Sequence, residues 1–401
     1  MQIYKPTSLS EVRDILADAL QSDTGLEIVS AATKSGLGHQ VHADAQMDVS
    51  QLAGIVDYEP EELILVVRAG TSLAEVETLL ESKNQMLSFE PFHPQALYGV
   101  SHAGSVGGMV ASGLSGPRRI SAGGVRDYVL GFKAVSGRGD EFQSGSRVMK
   151  NVTGYDLSKL MAGSFGTLAI MDEITLKVLP APEETLSLLV SCSDAKQAQS
   201  ACSAAFGSAH EPTGASVLPD HLLTAAGVES AGPYAALIRL EGVAVSVADR
   251  RDKLARLLAE FGGVEIVNAA ESKPLWARIR DADFFSAEDE QIWKISCAPT
   301  AGPAILSQLE AKYAQQNLTS FMDWAGGLIW LAGAGDRLAA DMRSLLAEAG
   351  GGHATLMRAD DKIRANIPVF QPQASALDEL HNRIRSAFDP RQILNPGRMG
   401  R

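Results

Sequence analysis

Gly104-Ser105-Val106-Gly107-Gly108-Met109-Val110-Ala111-Ser112-Gly113-Leu114-Ser115-Gly116-Pro117-Arg118-Arg119 is the stretch on which the reading of this chain turns. Glycines lack a Cβ, permit positive φ and let successive N–H groups form a concave nest for an anion such as a pyrophosphate. A flexible Gly/Ser loop would have the same composition, so the block alone leaves both readings open. It sits inside residues 89–124, which show many glycines and no clear period, too long for a simple connection and therefore a functional loop region. The block is not GxGxxG, and no strand with a trailing Asp about 20 residues on frames it, which disfavours a nicotinamide-binding Rossmann unit. No Walker lysine motif occurs either.

Upstream, Ser8 three residues before Glu11 reads as a capping box opening a helix whose inner face carries Val12, Ile15, Leu16 and Ala19. Residues 26–29 and 63–67 read as strands. Ser72 with Glu75 caps a second helix with Val76, Leu79 and Leu80 inside, so the first third is a βα-type unit. Downstream, residues 125–135 read as a strand, Ser136-Gly137-Arg138-Gly139 as a hairpin turn, and residues 168–178 as a strand ending before Pro180. Between them, the stretch 150–170 reads as a short helix followed by a tight turn, which Gly163 and Gly166 fit, into a strand. Backbone groups of Thr167, Leu168, Ala169 and Ile170 beyond that turn suit pairing with an adenine or ribose edge. An ordinary αβ connection with a glycine cap is the plainer alternative.

Pro180, Pro182 and Glu183-Glu184 mark a boundary. Past it the pattern reads βαββαβ, with strands at 186–190, 215–218, 234–240 and 264–267 and helices at 194–206 and 246–261. The order then repeats, with strands at 292–296, 319–323, 328–332 and 353–357 and helices at 301–315 and 337–349. Two tandem ferredoxin-like halves sharing one antiparallel sheet, helices on one face, follow from that order.

A chain of 401 residues exceeds the usual limit of one core, so two domains are expected. Hydrophobic residues make up 45% and charged residues 21%, with no apolar run of membrane-spanning length. The N-terminus lacks the features of a secretory signal, and a cytoplasmic location is expected. Cys192, Cys202 and Cys297 are too few and too scattered to ligate an iron–sulfur cluster or to build a disulfide framework, so no metal site is expected. A net charge of −13 opposes binding to nucleic acid or anionic lipid. Small molecules and proteins remain as partners.

Residues 104–119, with residues 125–131, 148–156 and 166–168, resemble the FAD-binding subunits of bacterial glycolate oxidase, flavoproteins of the vanillyl-alcohol-oxidase class. The resemblance runs through Pro180, continues more loosely at residues 351–356 and returns at residues 388–390 and 393–399. It implies an α+β fold: a PCMH-type FAD-binding domain of two subdomains at 1–181, a cap domain at 182–387 with an antiparallel sheet covered by helices, and a tail at 388–401 returning to the first domain. It implies non-covalent FAD, held by Thr33, Lys34, Gly104, Ser105, Val106, Gly107, Gly108, Ser112, Gly113, Gly163, Gly166, Thr167, Leu168, Ala169 and Ile170. It also implies a second flavin subunit and an iron–sulfur subunit as partners, with a small 2-hydroxy acid as substrate. Association with the inner membrane would then come through the complex.

The first phosphate loop departs from the family. Where three glycines and a Thr/Ser-Lys pair are usual, this chain reads Ser30-Ala31-Ala32-Thr33-Lys34. A non-glycine residue in the left-handed region costs roughly 1 kcal/mol, so Ala31 and Ala32 must find another geometry or weaken the site. Thr33 stands where covalently flavinylated relatives carry their attachment histidine, so FAD should be dissociable.

A 2-hydroxy acid needs a cation for its carboxylate and a base for its hydroxyl proton. Arg278, Arg280, Lys294 and His353 have suitable side chains in the cap, and His102 lies near the glycine-rich block. Arg118 and Arg119 suit a phosphate, a partner carboxylate or a surface salt bridge. Trp276, Trp293, Trp324 and Trp330 read as core or interface aromatics. Beyond a flavin-bearing subunit, a self-contained FAD-dependent 2-hydroxy acid dehydrogenase or oxidase stays open, as does an assembly subunit that has lost FAD.

Overall fold

The computed structural model describes residues 1–145, 155–285 and 290–400. Residues 148–154 of the resemblance, and with them the start of the stretch 150–170 expected to open on a short helix, lie outside the described residues; the helix described there is Ser158–Met161. The chain divides into two compact units. One comprises residues 1–115, 123–181 and 372–401, the other residues 116–122 and 182–371.

The first unit holds two main sheets. Strands β1 (Gln2–Tyr4), β2 (Leu26–Val29) and β3 (Ala45–Asp48) form a parallel sheet in the order β1-β3-β2. The helix between β1 and β2, Leu9–Ser22, starts because the Ser8 hydroxyl accepts from the Glu11 amide, while the Glu11 carboxylate accepts from the Thr7 amide. Its buried Val12, Leu16 and Ala19 join Leu26, Met47, Ile393 and Leu394 in one cluster.

The second sheet is antiparallel. Its strands are β4 (Ile55–Glu59), β5 (Ile64–Arg68), β7 (Val129–Ser136), β8 (Glu141–Gly145) and β9 (Ala169–Lys177), ordered β4-β5-β9-β7-β8. A minor pair, β6 (Gln85–Met86) with β10 (Leu179–Pro180), lies beside it in sequence. The strand expected from Val125 begins instead at Val129, because the Asp127 carboxylate accepts from the Gly124 amide and bends residues 125–127 into a 3₁₀ turn. Helix Leu73–Glu81 forms where the spacing predicts, but the Ser72 hydroxyl makes no capping bond.

The second unit is built on one eight-stranded antiparallel sheet. Its strands are β11 (Glu184–Cys192), β12 (Gly214–Pro219), β13 (Tyr234–Gly242), β14 (Gly263–Val267), β15 (Gln291–Ser296), β16 (Thr319–Asp323), β17 (Leu328–Gly333) and β18 (His353–Ala359). The order is β14-β11-β13-β12-β16-β17-β15-β18, two ferredoxin-like halves in mirrored order meeting edge to edge where Val217 pairs with Met322. Helices Ala195–Phe206, Ala244–Leu258, Gly302–Lys312 and Leu338–Glu348 bury their apolar stripes against alternate strand residues such as Leu188, Ile238, Trp293, Ile329 and Leu331. The opposite face is not bare, contrary to expectation. Helix Ala269–Asp281 packs there, with Trp276 Nε1 donating to Ser187 Oγ at 2.8 Å and the Arg239 guanidinium 4.5 Å from the indole centroid.

Candidate functional site

At residues 104–113 the structure builds a helix rather than an open loop. Ser105 caps helix Val106–Ser112, its hydroxyl accepting from the Gly108 amide, and Gly113 closes the helix with φ +66°. The Val106 amide donates to Thr71 O at 3.0 Å and the Gly107 amide to Ala69 O at 2.7 Å. Three amides expected to face an anion are therefore engaged within the fold. The glycines serve close approach instead: a Cβ on Gly107 would lie 2.9 Å from Ala69 Cβ, and one on Gly104 (φ +91°) would lie 2.6 Å from Thr33 Oγ1.

Free amides stand on the facing segment. A cleft, about 920 Å³ counted out to its open mouth, is lined on one side by residues 27–35 and on the other by Ser105, Gly107, Gly108, Ala111 and Ser112. Phe165, Gly166, Ala169, Ile170, Met171, Asn395 and Arg398 also line it, as do Leu37, Val49 and Ala69. The amides of Ala31, Ala32, Thr33 and Lys34 have no acceptor among the described residues, and the buried Ser30 hydroxyl has no hydrogen-bond partner. A buried polar atom without a partner is costly, so these groups are poised for an oxygen-rich ligand. Lys34 has no ion pair among the described residues, and burial pushes its ammonium down to about 8. Ala32 does adopt the left-handed region, with φ +53°, whereas Ala31 does not.

Two residues at the far end of the chain hold this loop in shape. Arg398 donates from Nη1 to Ser35 O and Leu37 O, both at 2.9 Å, and from Nη2 to Glu27 Oε1 at 3.2 Å. Asn395 donates from Nδ2 to Phe165 O and accepts at Oδ1 from the Ile28 amide, both at 2.8 Å. The sequence reading matched the motif around them without giving either a role. Among the expected residues, Thr33, Lys34, Ser105, Gly107, Gly108, Ser112, Gly166, Ala169 and Ile170 line the cleft. Val106, Gly113, Gly163, Thr167 and Leu168 stand behind the lining: a Cβ on Gly113 would be 3.0 Å from Gly163 Cα, and Thr167 Oγ1 donates to Ser164 O at 2.7 Å. No His, Cys or Tyr lines the cleft among the described residues.

The candidate catalytic residues lie in the second unit and do not form one group. Arg278 is spent on main chain, donating to Asp283 O and Ala225 O, with Phe284 under its guanidinium. Arg280 pairs with Asp281. His353 is exposed at the start of β18, and His102, in the first unit, is exposed too. Lys294 differs. It lies on β15 between Trp293 and Ile295, both of which face the helix-covered core, so it points to the other face, with its Nζ 5.1 Å from the Trp324 ring centroid. Burial pushes its ammonium down to about 8, with Arg119 adding to the shift and Asp323 opposing it. No group of His, Cys, Asp and Glu among the described residues is arranged to hold a metal, and no described helix is long and apolar enough to cross a membrane.

Comparison with known proteins agrees with this geometry. Residues 2–145 match the family model described as an FAD binding domain. The chain is 35% identical over 400 residues to the glycolate oxidase subunit GlcE of Escherichia coli K12, covering 99% of this chain and 97% of that protein. It is 28% identical over 191 residues to a D-lactate dehydrogenase of Anaerostipes hadrus, covering 47% of this chain and 38% of that protein. Its fold is that of p-cresol methylhydroxylase, with a TM-score of 0.73 at 16% identity over 99% of this chain and 88% of that one.

Proposed function

The chain belongs to the family of the glycolate oxidase subunit GlcE, and from that membership we propose that it is the FAD-binding subunit of a glycolate-oxidase-type complex that oxidises a small 2-hydroxy acid to the 2-oxo acid. FAD is the cofactor, and the cleft of the first unit fits it. The observation that carries this reading is the run of four unpaired amides at residues 31–34 beside the unpaired Lys34, a donor set suited to a diphosphate. Gly107 and Gly108, with Ala111, present a wall without bulk. Ala169 and Ile170 with Gly166 supply the end at which an adenosine half would lie.

Bound FAD supplies a two-electron acceptor for the hydride removed from the carbinol carbon. This chain's residues bind and orient: residues 31–34 hold the anion, and Arg398, itself on the cleft wall, braces the end of that loop through Ser35 O and Leu37 O. The lack of His, Cys or Tyr among the described residues that line the cleft supports a dissociable FAD.

The complex is multi-subunit, as the subunit name of the Escherichia coli relative indicates. Within it we assign a second flavin subunit to the substrate's oxidation alongside this one and an iron–sulfur subunit to the onward transfer of electrons, since three scattered cysteines leave this chain without a cluster of its own. We place the assembly in the cytoplasm, at the inner membrane through the complex. An assembly subunit without FAD is the weaker reading, because Ala32 takes the left-handed geometry and leaves the amides of the loop unpaired.

The test is purification of the full chain, alone and with the neighbouring subunits, followed by an absorbance spectrum and a glycolate-dependent dye-reduction assay. The reading expects a flavin band at about 450 nm and turnover that depends on the partners. Protein that neither carries nor binds FAD would overturn it. Full turnover by the isolated chain would replace the subunit with a self-contained dehydrogenase.

A further inference from the structure

The second unit carries two adjacent arginines with opposite fates. Arg118 is buried and saturated, donating from Nε and Nη2 to both oxygens of Glu241 at 2.9 and 2.7 Å. Arg239 lies 3.4 Å from the same carboxylate, so one glutamate serves two guanidinium groups, which hold it down to about 2 against the opposing effect of burial. Arg119, the next residue, has no hydrogen bond or ion pair from its side chain among the described residues; its guanidinium instead lies 4.8 Å from the centroid of Trp324. Lys294 comes to the same indole and likewise has no carboxylate within ion-pair distance among the described residues.

Two cations on one ring, neither in an ion pair among the described residues, is an unfavourable arrangement that the charge of the buried Asp323 carboxylate offsets only in part. Arg119 lowers the tendency of Lys294 to stay charged, and an aromatic face offsets only part of the lost hydration. Yet the ring is held in place deliberately. Trp324 and Ala325 both occupy the left-handed region, at φ 51° and 55°, and Trp324 Nε1 donates to Gly116 O at 3.1 Å. Consecutive strained residues persist only where the surroundings over-determine them, and they cluster at sites of function. Gly116 is three residues before Arg119, so the same hydrogen bond fixes both the indole and the segment that brings the arginine to it.

We propose that Lys294 and Arg119, gathered on the indole of Trp324, form a binding site for a small carboxylate, and that the ligand is the carboxylate of the 2-hydroxy acid. This deepens the function proposed above and rests on it for the identity of the acid, though not for the presence of an anion site. Lys294 is the fixed element, since it stands on a strand paired on both sides, with Trp330 on β17 and Thr355 on β18 as its register partners. Arg119 is the exposed element and closes on the ligand from the short helix Arg119–Ala122. Both are positioning residues for the substrate.

The experiment is a calorimetric titration of the FAD-loaded full chain with oxalate and with glycolate, alongside tryptophan emission as a local reporter. Wild type should bind oxalate, with a change in emission that Trp324→Phe abolishes. Lys294→Met should weaken binding tenfold or more, and Arg119→Gln severalfold, each with unchanged flavin content. Lys294→Arg, which keeps the charge, should restore much of the affinity. Equal affinity in wild type, Lys294→Met and Arg119→Gln would overturn the proposal, as would no binding by wild type up to about 10 mM oxalate. The two readings fail separately. A chain that binds oxalate through Lys294 but never FAD would remove the proposed function and leave the anion site, whereas a flavin-loaded chain blind to Lys294→Met would do the reverse.

Discussion

The Gly107 amide donates to Ala69 O at 2.7 Å, and a Cβ on Gly107 would stand 2.9 Å from Ala69 Cβ and 3.0 Å from Ala69 O. The glycine thus lets helix Val106–Ser112 press directly on the chain that leaves β5. Gly107→Val must push the helix off that backbone, an overpacking cost of about 1–3 kcal/mol or more. The expected result is a lower melting temperature together with weaker FAD binding, because the helix is also one wall of the cleft. A variant with wild-type melting and wild-type flavin titration would show that the helix does not rest on Ala69.

Ala31 and Ala32 look alike in the sequence but should respond oppositely to glycine. Ala32 sits at φ +53°, where a Cβ costs roughly 1–2 kcal/mol, so Ala32→Gly should raise stability by up to about 1 kcal/mol after the added entropy of the unfolded chain. FAD should bind no more weakly, since glycine takes the same left-handed φ without the cost of a Cβ. Ala31 has no such strain, and Ala31→Gly should be neutral or destabilising by about 0.5–1 kcal/mol. Chemical denaturation of the two variants separates them, and equal gains at both positions would contradict the loop conformation described here.

Much of this architecture could be read from residues alone. Period and capping placed the helix after Ser8 and the strands of both ferredoxin-like halves, because alternate apolar residues face one well-defined core. Helix Ala269–Asp281 escaped notice because Pro274 lies inside it, and its first-turn bonds come from Asn268, which accepts from the Ala270 and Glu271 amides. Helix Ser375–Phe388 is a different case: Leu377, Leu380, Ile384 and Phe388 recur at helical spacing, yet the helix buries no residue and leaves Leu377 and Leu380 exposed, so its stripe marks no core contact. In the cleft, composition revealed that residues 104–113 matter but not that their amides are spent on Thr71, Ala69 and Ser105. Hydrogen bonds between distant segments leave no local pattern. Arg398 reaching back to Ser35 and Leu37 is the same case, more than 360 positions apart in the chain.

The affinity for FAD should depend on pH through Lys34. Burial holds its free-protein value near 8, below the ordinary 10.5, so the folded chain without ligand loses this proton as pH rises through about 8 while the unfolded chain still keeps it. An anion binds the protonated form. FAD affinity should therefore be flat below about pH 7 and fall by up to about tenfold per pH unit above 8, until the value in the complex is reached. Lys34→Met should weaken FAD binding at neutral pH by roughly tenfold or more and flatten the profile. Fluorescence titrations of FAD from pH 6 to about 10 test this; a wild-type profile as flat as that of Lys34→Met would take the lysine out of the site.

Removing Arg398 should damage the cleft without touching any group that faces FAD through an unpaired amide. Its guanidinium spans Ser35 O, Leu37 O and Glu27 Oε1, so Arg398→Met leaves two carbonyls and one partly buried carboxylate short of a donor. Charge-assisted bonds of this kind contribute about 1.5–3 kcal/mol each when broken singly, though part returns as water reaches the exposed groups. A loss of roughly 2–3 kcal/mol in the stability of the first unit is expected, with FAD affinity reduced in parallel because the loop at residues 30–35 is no longer held in the shape that presents its amides. Arg398→Lys keeps the charge but cannot reach two carbonyls and a carboxylate at once, and should recover less than half of the loss. Hydrogen exchange at residues 31–37 is the discriminating measurement: amides that exchange faster in Arg398→Met than in wild type tie the loop to the arginine, whereas unchanged exchange with lost FAD would mean that Arg398 contacts the cofactor itself.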